Sequence, residues 1–129
     1  MKAKAVVIEV SGFRRHTALD GLDDLQAAVD GYIEGVPIQE FPNIAIFINE
    51  EGKFTQEFNS TATKLVKPNL RSGDYISGPM VVTGFDPETG NNKDLDPLDW
   101  LELLVRLEPA DGPDYIPGTD GPDDGQVAA

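Results

Sequence analysis

The stretch NIAIFIN, residues 43–49, carries the strongest secondary-structure signal in the chain. Its five central residues are apolar without interruption, and this density over the length of a strand predicts a β-strand that is buried on both faces. The following EEGK (50–53) places a glycine in a turn, and KFTQEF (53–58) alternates in character. The pattern predicts a β-hairpin in which residues 53–58 return as the second strand.

A short helix is predicted upstream, over residues 21–30. Asp20 is placed to be its N-cap, with Asp23 three residues later as a shortened capping box. Leucine and valine recur at helical spacing within the segment, which indicates one apolar stripe. Gly31 stands where a left-handed C-terminal cap is expected, so the helix should end there.

Strands are predicted on both sides of this helix. KAKAVVIEV (2–10) is rich in β-branched residues and predicts the first strand, whereas SGFRRHT (11–17) predicts a loop. YIEGVPI (32–38) predicts a strand after the helix. Gly35 suggests a bulge or a close backbone approach in it, and Pro37 suggests an edge position or the end of the strand.

Glu34 is the unusual residue of this strand, because in a regular strand it shares a face with three apolar neighbours. A buried carboxylate without a partner would cost several kcal/mol. We therefore expect Glu34 to be partly buried at a sheet edge and hydrogen-bonded to backbone N–H groups or to an arginine. The candidate arginines are Arg14, Arg15 and Arg71. A bulge at Gly35 would instead turn the carboxylate outward.

Downstream of the hairpin, a second helix and a further strand are predicted. Asn59 is a helix N-cap, and Pro68 stops the helix after one or two turns. DYISGPMVVTGF (74–85) predicts a strand that is kinked at its Gly-Pro pair, and DPETGNNKDLDP (86–97) predicts a loop.

Residues 96–107 leave two secondary structures open. Asp96 as a cap, followed by proline at the first helical position and Asp99 three residues after the cap, is typical of a helix start. Apolar residues also alternate from position 101 to 107, which is the pattern of a strand.

Together these elements predict an α+β fold: a mixed or mostly antiparallel sheet of about five strands, with two or three helices on one face. Residues 1–107 form a single domain in this interpretation. Residues 108–129 are rich in Gly, Pro and Asp and contain six acidic residues and no basic one. Such a segment buries too little apolar surface to offset its ordering entropy, so we predict a disordered acidic tail.

Composition excludes several classes of protein. The formal net charge of −13 opposes direct binding to nucleic acids and to anionic membranes. The absence of cysteine excludes disulfides, thiolate metal sites and a cysteine nucleophile, and is compatible with a reducing cytosol. The longest apolar run, residues 44–48, is far too short to span a membrane. We therefore predict a cytoplasmic protein.

Four segments, in this order, carry a family resemblance: GYIE (31–34), NEEGK (49–53), N-x-x-A-T (59–63) and D-x-I-x-G-P-x-V-V-x-G (74–84). Over residues 3–86 the chain resembles the family called domain of unknown function 3846, whose members occur in bacteriophages and on plasmids. The resemblance implies a small accessory protein of a mobile element that acts on host machinery, and it carries over no catalytic residues. Residues 86–109 and the acidic tail depart from the family's pattern.

Basic residues provide the candidate ligand-binding site. Arg14, Arg15 and His16 form the densest basic spot and precede a predicted helix N-terminus, which favours anions. A second basic stretch follows the Asn59 cap and comprises Lys64, Lys67 and Arg71. Arginine binds phosphate in a bidentate manner, so the two stretches would form an anion pocket if they converge. Glu34 completes the candidate set as the one carboxylate expected to have a perturbed environment.

The sequence contains no recognisable catalytic, nucleotide-binding or metal-binding motif, so we expect no catalytic residues, cofactor or metal. The first hypothesis is a non-enzymatic binding module of a phage or other mobile element, which holds a small anionic ligand or a host protein. The alternative is an acidic decoy that imitates DNA and occupies a host DNA-binding protein. The oligomeric state is left open.

Overall fold

A computed structural model describes residues 2–107 of the chain as a six-stranded antiparallel sheet packed against helices. The elements in chain order are β1 (Ala3–Ile8), β2 (Arg14–Leu19), α1 (Gly21–Val29), β3 (Ile33–Gly35), β4 (Ile44–Asn49), α2 (Gly52–Thr55), α3 (Ser60–Val66), β5 (Met80–Asp86), β6 (Asn91–Lys93) and α4 (Pro97–Leu104). Single turns of 3₁₀-helix follow α3 and α4, at Lys67–Asn69 and Val105–Leu107. The sheet order is β2-β1-β5-β4-β3, and β6 pairs with the end of β5. The predicted α+β class and antiparallel sheet are confirmed.

The sheet is buried on both faces. On one face, Val6, Ile46 and Val82 pack in a large core with residues of α3 and α4. On the other, Val7 and Val81 pack in a smaller core with α1. The expectation that all helices lie on one face is therefore wrong. The reason is that β1, β4 and β5 are apolar at successive positions, so each strand presents apolar side chains to both sides.

Helix α1 matches the predicted segment to within one residue. Asp20 is the N-cap, but its side chain makes no cap hydrogen bond; instead its backbone N–H donates to the Asp24 carboxylate at 2.7 Å. The left-handed C-cap is Asp30, at φ 60° and ψ 49°, and not Gly31. Asn49 compensates for this less favourable cap, because its Nδ2 donates to the Asp30 carbonyl at 3.0 Å.

Three predicted segments differ in the structure. Residues 11–17 are not all loop, because β2 begins at Arg14 and pairs with β1 from Ala3 to Ile8. Residues 53–58 do not form a strand. Residues 53–55 belong to the short helix α2, and only Phe58 forms a β-bridge, to Ser77. The predicted loop 86–97 contains β6, which forms a hairpin with β5.

Asn59 joins three elements at a point that is fully buried. Its Oδ1 accepts the Ala62 N–H at 2.9 Å, which confirms the predicted N-cap of α3. Its Nδ2 donates to the carbonyl of Ile8 in β1 at 3.0 Å and to the carbonyl of Gly78 before β5 at 2.8 Å. All the donors and acceptors used by this side chain lie inside the protein, so Asn59 fixes the start of α3 to the sheet.

Residues 97–104 form a helix, which decides between the two structures left open by the sequence. Asp96 Oδ1 accepts the Leu98 N–H at 2.8 Å, as expected of an N-cap. Trp100 and Leu103 are buried against the larger core, whereas Leu101 is exposed. The predicted disordered tail, residues 108–129, lies outside the described residues. Within residues 2–107, no helix has the length and apolar character needed to cross a membrane.

Candidate functional site

A cleft of about 470 Å³ lies beside strand β3, at one edge of the sheet. Val36 and Ile48 line it on the sheet side, and Leu70 and Tyr75 line it from the segment between α3 and β5. Glu34 pairs directly with Ile48 and therefore shares its face of the sheet, which is the face covered by α3 and α4. The cleft is thus the part of this face that the helices leave open near β3.

Three exposed aromatic side chains form what we call the aromatic ridge: Phe54, Phe58 and Tyr75. They are 88%, 55% and 39% exposed, respectively. The rings of Phe58 and Tyr75 meet edge to face, with centroids 5.8 Å apart. Phe54 and Tyr75 also line the cleft. Clustered aromatic exposure of this kind is typical of surfaces that bind other proteins.

A charged cluster lies next to the aromatic ridge. The Lys53 ammonium donates to the Asp74 carboxylate and lies 5.0 Å from the centre of the Tyr75 ring. The Lys53 hydrogen bond, the Tyr75 backbone N–H and the nearby charges of Lys53 and Arg71 lower the pKa of Asp74. Asp74 is therefore ionised at neutral pH and neutralises the charge of Lys53.

Glu34 is exposed, and no described residue forms a hydrogen bond or an ion pair with its carboxylate. The prediction that it is partly buried and hydrogen-bonded to backbone N–H groups or to an arginine is wrong, although its position in an edge strand is as expected. The physical reason is that β3 is the last strand of the sheet and the cleft beside it is open to water. Removing this charge should therefore leave the stability of the protein unchanged.

The other predicted site residues are spread over the surface. On β2, Arg14 and His16 lie opposite Ile8 and Val6 and share the face of α3, whereas Arg15 lies on the α1 face. Arg15 pairs with Glu9 at 3.0 Å. Because neighbouring residues of a strand point to opposite faces, these three side chains do not converge on one small ligand.

The two basic stretches are also separated. Strand β2 is at the opposite edge of the sheet from β3. Lys64 and Lys67 are exposed on and just after α3, and neither lines the cleft. Of the predicted set, the structure brings Glu34 and Arg71 together in the cleft. Within residues 2–107, no group of three or more acidic or histidine side chains is placed to hold a metal ion.

Lys53, Phe54, Asp74 and Tyr75 are residues of the cleft that the sequence did not single out as site residues. A signal for two of them was present, because Lys53 ends the NEEGK segment and Asp74 begins the D-x-I-x-G-P segment. The structure joins these two segments through the ion pair between Lys53 and Asp74. Phe54 was assigned to a strand, which concealed its exposure.

Comparison with known proteins places the chain in one family. The family model described as Domain of unknown function (DUF3846) matches residues 1–105. The match extends through α4, so this helix belongs to the family's domain. It does so although α4 lies outside the four segments that carry the resemblance in the sequence. No curated protein matches the chain, and no solved structure does.

Proposed function

The chain belongs to the DUF3846 family, and we propose that it is a non-enzymatic binding module whose cleft beside β3 holds a partner protein. The observation that carries the proposal is the aromatic ridge, of which Phe54 and Tyr75 line the cleft and Phe58 contacts Tyr75. Exposed aromatic side chains are costly in water and are enriched at the centres of protein interfaces. Since members of the family occur in bacteriophages and on plasmids, the proposed partner is a protein of the host cell.

The charges of the cleft favour a protein over a small anionic ligand. Lys53 is neutralised by Asp74, which leaves Arg71 to attract an anion. Two exposed carboxylates, Glu34 and Glu50, line the same cleft and repel one. Small-molecule sites also enclose most of their ligand, whereas this cleft is open along the sheet edge.

Site-specific crosslinking tests the proposal. A photoreactive amino acid in place of Phe54 is expected to capture one defined host protein from an extract of the natural host. The same amino acid in place of Leu98 is the matched control, because Leu98 is 72% exposed but lies on α4, outside the cleft. Gel electrophoresis and mass spectrometry identify the adduct. Equal capture at both positions, or no adduct at Phe54, would contradict the proposal.

A second candidate function is the acidic decoy. It is favoured by one observation: every Asp and Glu of residues 2–107 is exposed or half-buried, so all these charges face solvent at least in part. A decoy would bind its target through long-range attraction between opposite charges, which salt weakens.

Salt and truncation separate the two functions. If the aromatic cleft carries the binding, capture of the partner is expected to persist at about 1 M salt, where the Debye length is about 3 Å. It should also persist after deletion of residues 108–129, which removes six acidic residues. Quantitative pull-down of intact and shortened chains at low and high salt measures both effects. Loss of capture in either condition would favour the decoy.

A further inference from the structure

Strand β3 has backbone groups that face away from the sheet. The Val36 N–H donates to the Ile46 carbonyl at 2.9 Å, and the Glu50 N–H donates to the Tyr32 carbonyl at 3.0 Å. In an antiparallel pair the residues that bond to the neighbour alternate with residues that do not. Ile33 and Gly35 are the residues in between, so their N–H and C=O groups point to the open edge.

This open edge adjoins the cleft. β3 ends the strand order, so no strand of the described residues pairs with its outer side. Gly35 and Pro37 both line the cleft. Pro37 is the next residue on the outward side and has no N–H to donate, so a strand added here would pair only with the short segment before it. An added strand can therefore form at most four backbone hydrogen bonds here, to the N–H and C=O groups of Ile33 and Gly35.

The two edges of the sheet have opposite charge. The outer strand β2 carries Arg14, Arg15 and His16, of which Arg15 is paired with Glu9. At the β3 edge, the exposed carboxylates of Glu34 and Glu50 are not paired with any described residue, and Lys53 is neutralised by Asp74. Arg71 is the remaining cation of this cleft, so its carboxylates are in excess by one. A basic segment is therefore attracted to β3 and repelled by β2.

We propose that β3 accepts an extended, lysine- or arginine-bearing segment of the partner as an added antiparallel strand. This inference rests on the proposed function and specifies how the partner binds. The backbone of the segment pairs with Ile33 and Gly35, and alternate side chains of the segment enter the cleft toward the aromatic ridge. Its basic side chains lie near Glu34 and Glu50.

Gly35 allows a matched pair of variants. A Cβ added at Gly35 has the Ile46 carbonyl oxygen as its nearest neighbour, at 3.9 Å, which is an ordinary contact, so Gly35→Ala fits without strain. Gly35→Pro removes the outward N–H and puts the proline ring in its place at the same edge. It leaves the hydrogen bonds to β4 in place, because those come from Tyr32, Glu34 and Val36. The difference between the variants therefore reports on pairing at the outer edge of Gly35.

The probe is a capped peptide of about eight residues, a usual strand length, in which lysine and valine alternate. NMR titration is expected to shift and protect the amides of Ile33 and Gly35. Gly35→Pro should weaken binding by about tenfold or more, equivalent to about 1.4 kcal/mol, while Gly35→Ala binds as the wild type does. A peptide that alternates glutamate and valine should not bind at β3.

Several results would overturn the inference: no binding of the lysine peptide, equal binding by both Gly35 variants, or amide shifts confined to β2. If Gly35→Pro does not fold, as judged by circular dichroism, the wild-type protein is titrated with a lysine peptide that is N-methylated at every residue, so that neither edge of the peptide can pair. Retained affinity for that peptide then counts against strand addition. Capture at Phe54 that is unaffected by Gly35→Pro would leave the proposed function standing and remove only this inference.

Discussion

Asn59→Asp is expected to destabilise the protein by about 4 kcal/mol at neutral pH, the scale of an uncompensated buried charge. The two side chains have the same shape, so packing is preserved. The change replaces the Nδ2 donor, however, and a carboxylate oxygen would face the carbonyl oxygens of Ile8 and Gly78 at hydrogen-bond distance. Asn59 is fully buried, so water cannot relieve the repulsion.

The loss of stability in Asn59→Asp should depend on pH, and its direction follows from the pKa of the introduced carboxyl. Burial beside two carbonyl groups raises the pKa of the introduced carboxyl in the folded state above the unfolded value of about 3.9. Below that unfolded value the group is protonated in both states, and the deficit relative to wild type is smallest. The deficit then grows as the pH rises toward the folded pKa and is constant above it.

Urea denaturation of the Asn59 variant and the wild type, followed from acid to neutral pH, measures this deficit. Asn43→Asp is the control, since Asn43 is exposed and the same chemical change there should alter stability little. If the loss of unfolding free energy does not vary with pH, or is as large in the control, then replacing the hydrogen bonds of Asn59 is not the cause of the loss.

Gly84→Ala is expected to destabilise the protein by about 3 kcal/mol, at the upper end of what overpacking usually costs. The added Cβ would lie 2.1 Å from the Asp94 carbonyl oxygen and 2.8 Å from that of Lys93. Both are backbone atoms, so no side chain can rotate away and β6 must move. Movement of β6 also disturbs its connection to β1, where the Leu95 N–H donates to the Lys4 carbonyl at 2.9 Å.

Gly35→Ala is the matched control for this change, because both glycines are in strands and neither has a positive φ. Chemical denaturation should place the Gly35 variant near the wild type and the Gly84 variant well below it. Similar stability of the two variants would contradict the close approach of β6 to β5. In the Gly84 variant, we also expect faster amide exchange in β6 than in β4.

Apolar density and capping residues predicted much of the fold. The runs in β1, β4 and β5 were found because strands buried on both faces are apolar at successive positions. Asn59 and Asp96 were found because a capping side chain acts on N–H groups two or three residues away. Signals of this kind are local, so a single sequence is sufficient to detect them.

The remaining elements depend on neighbours that are distant in sequence. Strand β2 is polar over its first four residues and has no buried residue. It is a strand because it pairs with β1, which its own residues do not reveal. In residues 53–58 the phenylalanines alternate as in a strand, yet Phe54 and Phe58 are both exposed. Exposed aromatic residues spaced in this way have the same sequence pattern as a buried strand face.

The site was predicted least well, for the same reason. Glu34 and Arg71 were named, but their common position in the cleft depends on how the segment after α3 folds back over the sheet. Lys53 and Asp74 lie 21 residues apart and make a pair only in the folded chain. Basic residues that are adjacent in sequence, Arg14 and Arg15, were expected to act together, but the alternation of β2 separates them.

The strand order has a consequence for synthesis on the ribosome. The second and third strands of the sheet are the first and fifth in the chain, and Val6 in β1 lies opposite Val82 in β5. At about 5–20 residues per second, the intervening stretch of about 75 residues takes about 4–15 s to translate. During that interval the nascent β1–β2 hairpin presents an unpaired, valine-rich edge. Until β5 is made, this apolar edge of β1 has no partner strand and is open to chaperones and to aggregation.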